Sequence, residues 1–250
     1  MNTSVVPTTL DRIELWRDMH RFEMNCQVVH DSIHDRPGLT QEYLLSVGDT
    51  PVGYGSVAIG GPWKDTPTLY HVYVVPTHRQ HLLDLYRRLV EVCGAVQITI
   101  QSNDPLATVM IHAFVTQATS NAILFHDRHV TALAPGGAIY RAATAAEAPD
   151  ATAEVLKYRG VVDVDSEVAA TGGVLFHYNR PFGDIYMEVN EPFRRKGFGS
   201  FIVQELKRIC YENGHIPAAR CNPDNIASQR TLQKAGFVPC GHILTGPVRR

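Results

Sequence analysis

The stretch Phe193-Arg194-Arg195-Lys196-Gly197-Phe198-Gly199-Ser200 decides how the rest of the chain is read. It follows a strand-like run, Asp184 to Asn190 (DIYMEVN), and opens a helix-like run, Ser200 to Asn213 (SFIVQELKRICYEN). A strand, a short Gly-containing loop and a helix N-terminus form a receptor for phosphate. The unbonded N–H groups of the first turn point outward, and the helix dipole adds partial positive charge there. Two glycines let the backbone close around an anion, and three adjacent cations supply charge of the matching sign. The spacing is neither G-x-x-x-x-G-K-[ST] nor G-x-G-x-x-G, so the two commoner phosphate loops are excluded.

Downstream, Pro217 to Cys221 reads as a short strand, and Asn222-Pro223-Asp224-Asn225 as a turn that ends in a helix cap. Ile226 to Ala235 is helical, Gly236 stops it, and Phe237 begins a last apolar run. The pattern N-x-x-S-x-x-x-x-x-K-x-G-F covers Asn225, Ser228, Lys234, Gly236 and Phe237. With both patterns in view, Asp184 to Leu244 resembles the GNAT superfamily of acyl-CoA-dependent N-acetyltransferases. Arg194 to Ser200 matches that family's R/Q-x-x-G-x-G/A element, and Asn225 to Phe237 its N-x-x-[AS]…G-F element.

The resemblance implies an α/β (α+β) fold, with a mixed, mostly antiparallel twisted sheet flanked by helices. It implies acetyl-CoA as co-substrate. The CoA-binding set would be Val189, Arg194, Arg195, Lys196, Gly197, Phe198, Gly199 and Ser200, with Asn222, Asn225 and Ser228 on the other side of the pantetheine arm. It also implies acetyl transfer to a primary amine by direct attack, with strand-end amides near Val189 and Asn190 as oxyanion donors. The acceptor it implies is a small-molecule or peptide amine.

Glu188, on the strand that ends at the loop, is the candidate base, with Glu191, Asp184 and His177 behind it. Family members often carry a Tyr as thiolate acid seven residues after the helix-capping Asn, and here that position is Leu232. Tyr211 therefore becomes the candidate acid, with Tyr186 or solvent as substitutes. Cys210 and Cys221 sit in apolar settings that favour inert thiols over a covalent route.

A repeat runs through the chain. Tyr70-His71-Val72-Tyr73-Val74-Val75-Pro76 and Tyr186-Met187-Glu188-Val189-Asn190-Glu191-Pro192 are offset by 116 positions, and the segments after them are both helical in period. Two units of one fold are expected, 1–136 and 137–250, with the break at Pro135-Gly136-Gly137. The first unit has His81 and Leu83 where the second has Gly197 and Gly199, and Pro105 is set against Asn225. It should not hold CoA. Its expected roles are to cover the acceptor site, to form a homodimer or to brace the second unit. Thr144 to Tyr158 holds only a short or broken helix, so the second unit lacks part of an acceptor wall.

The chain has 250 residues and a net charge of −2, which gives no bulk attraction to nucleic acid or anionic membrane. No apolar stretch reaches the ~20 residues of a membrane span, and the N-terminus has no secretory pattern. Five cysteines without C-x-x-C spacing point to free thiols in a reducing cytoplasm and to no zinc site. His71, His78 and His81 are the closest approach to a metal pattern, and their spacing does not suit one. Two other readings stand beside the enzyme: a CoA-binding sensor or structural module without turnover, and a site for another phosphate ligand such as a nucleotide.

Overall fold

A computed structural model describes residues 2–249. The chain divides into two compact units. Unit 1 holds the residues up to Asn121 together with those from Gly241 onward; unit 2 is Ala122–Cys240.

Unit 1 contains β1 (Thr3–Thr8), α1 (Leu10–Met24), β2 (Thr40–Val47), β3 (Thr50–Ala58), β4 (Thr68–Val74), α2 (Leu82–Val92), β5 (Gln97–Gln101) and α3 (Pro105–Phe114). Its strands lie in the order β1-β2-β3-β4-β5, with residues 243–247 antiparallel to β5. The remaining elements are β6 (Thr119–Asp127), β7 (Ile139–Ala142), α4 (Ala153–Leu156), β8 (Arg159–Val164), β9 (Glu167–Leu175), β10 (Phe182–Val189), α5 (Phe198–Glu212), β11 (Ile216–Cys221), α6 (Ile226–Lys234) and β12 (Phe237–Pro247). In unit 2 the order is β7-β8-β9-β10-β11, with residues 123–126 of β6 antiparallel to β11.

Both units thus repeat one plan: a sheet with only its fourth and fifth strands parallel, and helices after the fourth and fifth strands. From β2 to α2 the 116-position offset lands strand on strand and helix on helix; beyond α2 the correspondence shifts, and α1 has no helical counterpart at that offset. The units are delimited differently from the expected break at 136/137. The strand after α3 completes unit 2, and the end of the strand after α6 completes unit 1. The outer row of N–H and C=O groups on each fifth strand is thereby paired and not left as an open edge.

Alternation along β10 separates two faces. Ile185, Met187 and Val189 pack with Phe198, Ile202, Val203 and Leu206 of α5, and each fully buried aliphatic side chain there contributes ~1.5–3 kcal/mol. Gly172 on β9 has no room for a side chain, because a Cβ would lie 2.6 Å from the Tyr186 carbonyl oxygen and 3.0 Å from Leu206 Cδ1. Asp184, Tyr186 and Glu188 point to the other face. The two longer helices of the unit, α5 and α6, lie together on the first face, where Gly199 fits between Val189 and Thr231. Between β7 and β8 the helix has only four residues, Ala153–Leu156, as short as expected.

Candidate functional site

The loop forms as its sequence requires. Glu191–Phe193 makes one 3-10 turn, closed by Phe193 N–H to Asn190 O (2.9 Å) and Arg194 N–H to Glu191 O (3.2 Å). Arg195 and Gly197 then take left-handed backbone conformations, φ 64° and 94°, and Gly197 is the N-cap of α5. A Cβ at Gly197 would meet nothing closer than Lys234 Nζ at 3.6 Å, so its glycine serves conformation and leaves space for a ligand. Gly199 differs: a Cβ there would lie 3.1 Å from Val189 Cγ2 and 3.2 Å from Thr231 Cγ2, so its glycine serves packing.

The first α-helical bond is Phe201 N–H to Gly197 O (3.1 Å), which leaves the amides of Phe198, Gly199 and Ser200 as the unspent donors of the first turn. Ser200 Oγ donates to Thr231 O (3.1 Å), fixing α5 against α6. Arg194, Arg195 and Lys196 are exposed around the rim. Arg194 Nε donates to Val189 O (3.1 Å), and Lys196 lies 5.6 Å from the Phe193 ring centre. Lys234, a member of the downstream motif outside the expected binding set, brings a fourth cation beside Gly197. A multiply charged anion fits this cradle of amides and cations.

A slot leads away from the loop. β10 and β11 pair in parallel only from Phe182 to Ile185 against Ile216 to Ala219. Beyond that β11 continues against β6 and β10 against β9, so the two strands part. Asn190 N–H is taken by Ala169 O (3.0 Å), which corrects its expected role as an oxyanion donor. Antiparallel alternation then turns the amides of Met187 and Val189 toward the open side.

Asn225 caps α6, its Oδ1 accepting from Ser228 N–H (3.0 Å), and Asn222 Oδ1 accepts from Asp224 N–H (2.8 Å) to hold the turn. Asn222 is thereby tied into the turn, and the Asn225 amide nitrogen keeps both donors among the described residues. The Ser228 hydroxyl meets the Cys221 thiol, whose pKa burial raises despite that bond. Burial pushes the Cys210 thiol up to about 12. Neither cysteine is an activated nucleophile.

The two candidate catalytic residues part company. Glu188 is exposed on the face away from α5, beside the slot. Tyr211 lies at the far end of α5, about 18 Å along the helix axis from Gly199 at ~1.5 Å per residue, and is half exposed. The loop and Tyr211 are not brought together. Leu232 is buried in the core, so no hydroxyl replaces the acid at that position. Asp184 is held by His177 (2.9 Å) and Arg220 (3.2 Å). Burial, followed by the Asp184 charge, drives the neighbouring Tyr178 phenol well above its ordinary range. Among the described residues no group of three His, Cys, Asp or Glu is arranged to hold a metal ion, and no helix is long and apolar enough to cross a membrane.

Unit 1 shows what happens to the same plan without the glycines. Arg79 Nε donates to Val74 O (3.0 Å), the counterpart of the Arg194–Val189 bond, but Arg79 is also neutralised by Glu23 (2.6 Å). The N-cap of α2 is His81 at φ −99°, and Asp84 puts a carboxylate into the first turn. Across the cap of α3 the correspondence shifts by one residue from that expected. Asp104, not Pro105, matches Asn225, because its Oδ1 accepts from Leu106 and Ala107 N–H (2.9 and 3.1 Å) while Pro105 is the first helical residue.

β4 and β5 of unit 1 also part early, after Leu69 and Ile98, but the chain itself bridges them. His71 Nε2 of β4 donates to Val29 O (2.9 Å), and Val29 N–H donates to Gln101 Oε1 of β5 (3.3 Å). Behind Val29, His34 Nε2 lies 2.8 Å from His71 Nδ1 and its Nδ1 2.9 Å from Glu42, which also accepts from Ser56 Oγ. His71 thus belongs to this buried cluster and not with His78 and His81. The network escaped sequence reading because its members are far apart in the chain and each is an isolated polar residue in an apolar run.

The profile of the Acetyltransferase (GNAT) family matches residues 139–237, inside unit 2. Among solved structures, the chain is similar to an acetyltransferase from the GNAT family of Colwellia psychrerythraea, with 11% identity over 100% of each chain and a TM-score of 0.75. It is also similar to a tandem GNAT protein from the clavulanic acid biosynthesis pathway (15% identity, 98% of each chain, TM-score 0.63). A GCN5-related N-acetyltransferase from Sphaerobacter thermophilus is similar too, with 13% identity, 99% of this chain and 96% of that one, and a TM-score of 0.60. At these identities the likeness is one of fold. No curated protein sequence matches the chain.

Proposed function

We propose, on the premise that residues 139–237 form an acetyltransferase domain of the GNAT family, that unit 2 moves an acetyl group from acetyl-CoA to a primary amine. The observation that carries this is the α5 N-terminus at the mouth of the β10–β11 slot, with three unspent amides, two left-handed residues and four cations around it. The amides of Phe198, Gly199 and Ser200 would take the pyrophosphate, with Arg194, Arg195, Lys196 and Lys234 neutralising it. The backbone of Met187 to Val189 would pair with the pantetheine arm, and Asn225 would face it from α6.

In the reaction the amine nitrogen forms the new C–N bond to the acetyl carbon while the C–S bond breaks. The electron pair leaves on sulfur, and the proton lost from nitrogen goes to Glu188 directly or through water. The amide of Met187 or Val189 donates to the oxygen that gains charge. With Leu232 at the family's acid position and Tyr211 remote, the thiolate takes its proton from solvent. Unit 1, with His81, Leu83 and Asp84 at its loop and Val29 across its slot, carries no second CoA site. The absent acid favours one alternative, a CoA-binding module without turnover. The free cysteines suit a cytoplasmic setting.

The test is CoA release from acetyl-CoA against a panel of amines, beside calorimetry with CoA and with ATP. Amine-dependent CoA release supports the transferase. Tight CoA binding without turnover on any amine supports the binding module, and tighter binding of ATP refutes both.

A further inference from the structure

Arg159, at the start of β8, carries a charge that the protein leaves unanswered. Among the described residues its guanidinium makes no ion pair and no side-chain hydrogen bond, and its Nε is buried without a partner. It lies over the Tyr186 ring, 5.0 Å from the ring centre, and the Tyr186 hydroxyl is likewise buried with no partner. Buried donors without acceptors are rare and costly, so two in contact call for an explanation.

The register supplies the setting. Arg159 and Tyr186 both stand opposite Gly173 of β9. A Cβ on Gly173 would lie 2.7 Å from the Tyr186 hydroxyl and 2.9 Å from Arg159 Cδ, so glycine is what lets the two side chains meet over the middle strand. Tyr186 is the first β10 residue past the point where β10 and β11 part. Glu188, two residues on, stands on the same face about 7 Å along the strand. It too has no ion pair among the described residues. The nearby Asp184 is already taken by His177 and Arg220 and does not neutralise Arg159.

From this arrangement we infer that the amine acceptor is an amino acid or a similar short amine bearing a carboxylate. Arg159, steadied by the Tyr186 ring, takes the carboxylate in a two-pronged hydrogen bond, and the amine faces Glu188 and the mouth of the slot. An unpaired cation and an unpaired anion on one sheet face complement a zwitterion; a plain alkylamine would leave Arg159 unanswered. The inference rests on the acetyltransferase reading.

The experiment compares kcat/KM for α-amino acids, the matching amino-acid amides and the decarboxylated amines, in the parent chain and in Arg159→Gln and Arg159→Lys. The parent chain should prefer the amino acids by at least about tenfold. Arg159→Gln should remove that preference, Arg159→Lys should restore part of it, and CoA affinity by calorimetry should stay unchanged in both. Turnover of plain amines with no advantage for amino acids, or a preference that survives in Arg159→Gln, overturns the inference and leaves the acetyltransferase reading standing. No transfer to any member of the three series overturns both.

Discussion

Placing a carboxylate at Gly197 separates the fold of the loop from its chemistry. The backbone there sits at φ 94°, where a side chain costs ~1–2 kcal/mol, but a new Cβ has no neighbour within 3.6 Å. Gly197→Asp should therefore fold, with a melting temperature lower by roughly 2–8 °C at ~2–4 °C per kcal/mol. Taking a phosphate bound at the α5 N-terminus as about 5 Å from that charge sets the scale of the repulsion. At an effective dielectric of ~20 that repulsion is about 3 kcal/mol per unit charge, a loss of more than ~100-fold in affinity. It would also draw off Lys234, whose Nζ is the nearest atom. Calorimetric titration with CoA, beside a thermal melt by circular dichroism, reads both quantities. The same substitution at the matching cap, His81→Asp, introduces no backbone strain and should leave CoA affinity as it was. A Gly197→Asp chain that folds and binds CoA within ~3-fold of the parent would refute the placement of the anion site.

Two predictions concern the frame around the sites. Lys207 is 2% exposed, and its Nζ bonds to His129 O (2.7 Å), Ala235 O (2.6 Å) and the Asp127 carboxylate (2.7 Å). Lys207→Met strands that buried carboxylate and should cost unit 2 about 3–5 kcal/mol in urea unfolding, with Asp127→Leu added to it recovering much of the loss; a cost below ~1 kcal/mol would contradict the pairing. In unit 1, burial and then the neighbouring His34 hold the His71 pKa well below its ordinary 6.5. The unfolded chain then binds a proton that the folded one refuses, so this contribution to stability is full above pH ~6.5 and is lost as pH falls below it. Melting temperature should decline from pH 6.5 toward 5, and His71→Gln should flatten that decline; an unchanged slope would show that His71 is not its source.

Much of the fold was legible because it rests on local physics. The strand before the loop, the helix after it, the cap at Asn225 and the stop at Gly236 follow from periodicity and from the few residues that suit those backbone conformations. The loop's two glycines do different work, one for conformation and one for packing, and only the positions of Val189, Thr231 and Lys234 separate those roles. Side-chain chemistry alone marks Tyr211 as a candidate acid. Its place at the opposite end of α5 follows from helix length once the helix is known to run unbroken.

By itself the sequence determined the strand–loop–helix order around Gly197, the repeat, and the glycine-containing loop in one unit and its loss in the other, because each of these is written in neighbouring residues. Tertiary structure alone decided which strand completes which sheet, since a short apolar strand carries no mark of its partner. It also decided which face of β10 presents Glu188, where β10 and β11 part, and that Arg159 and Tyr186 meet across Gly173. Those are facts of register, fixed by hydrogen bonds between strands distant in the chain, and a one-residue slip would reverse every one of them.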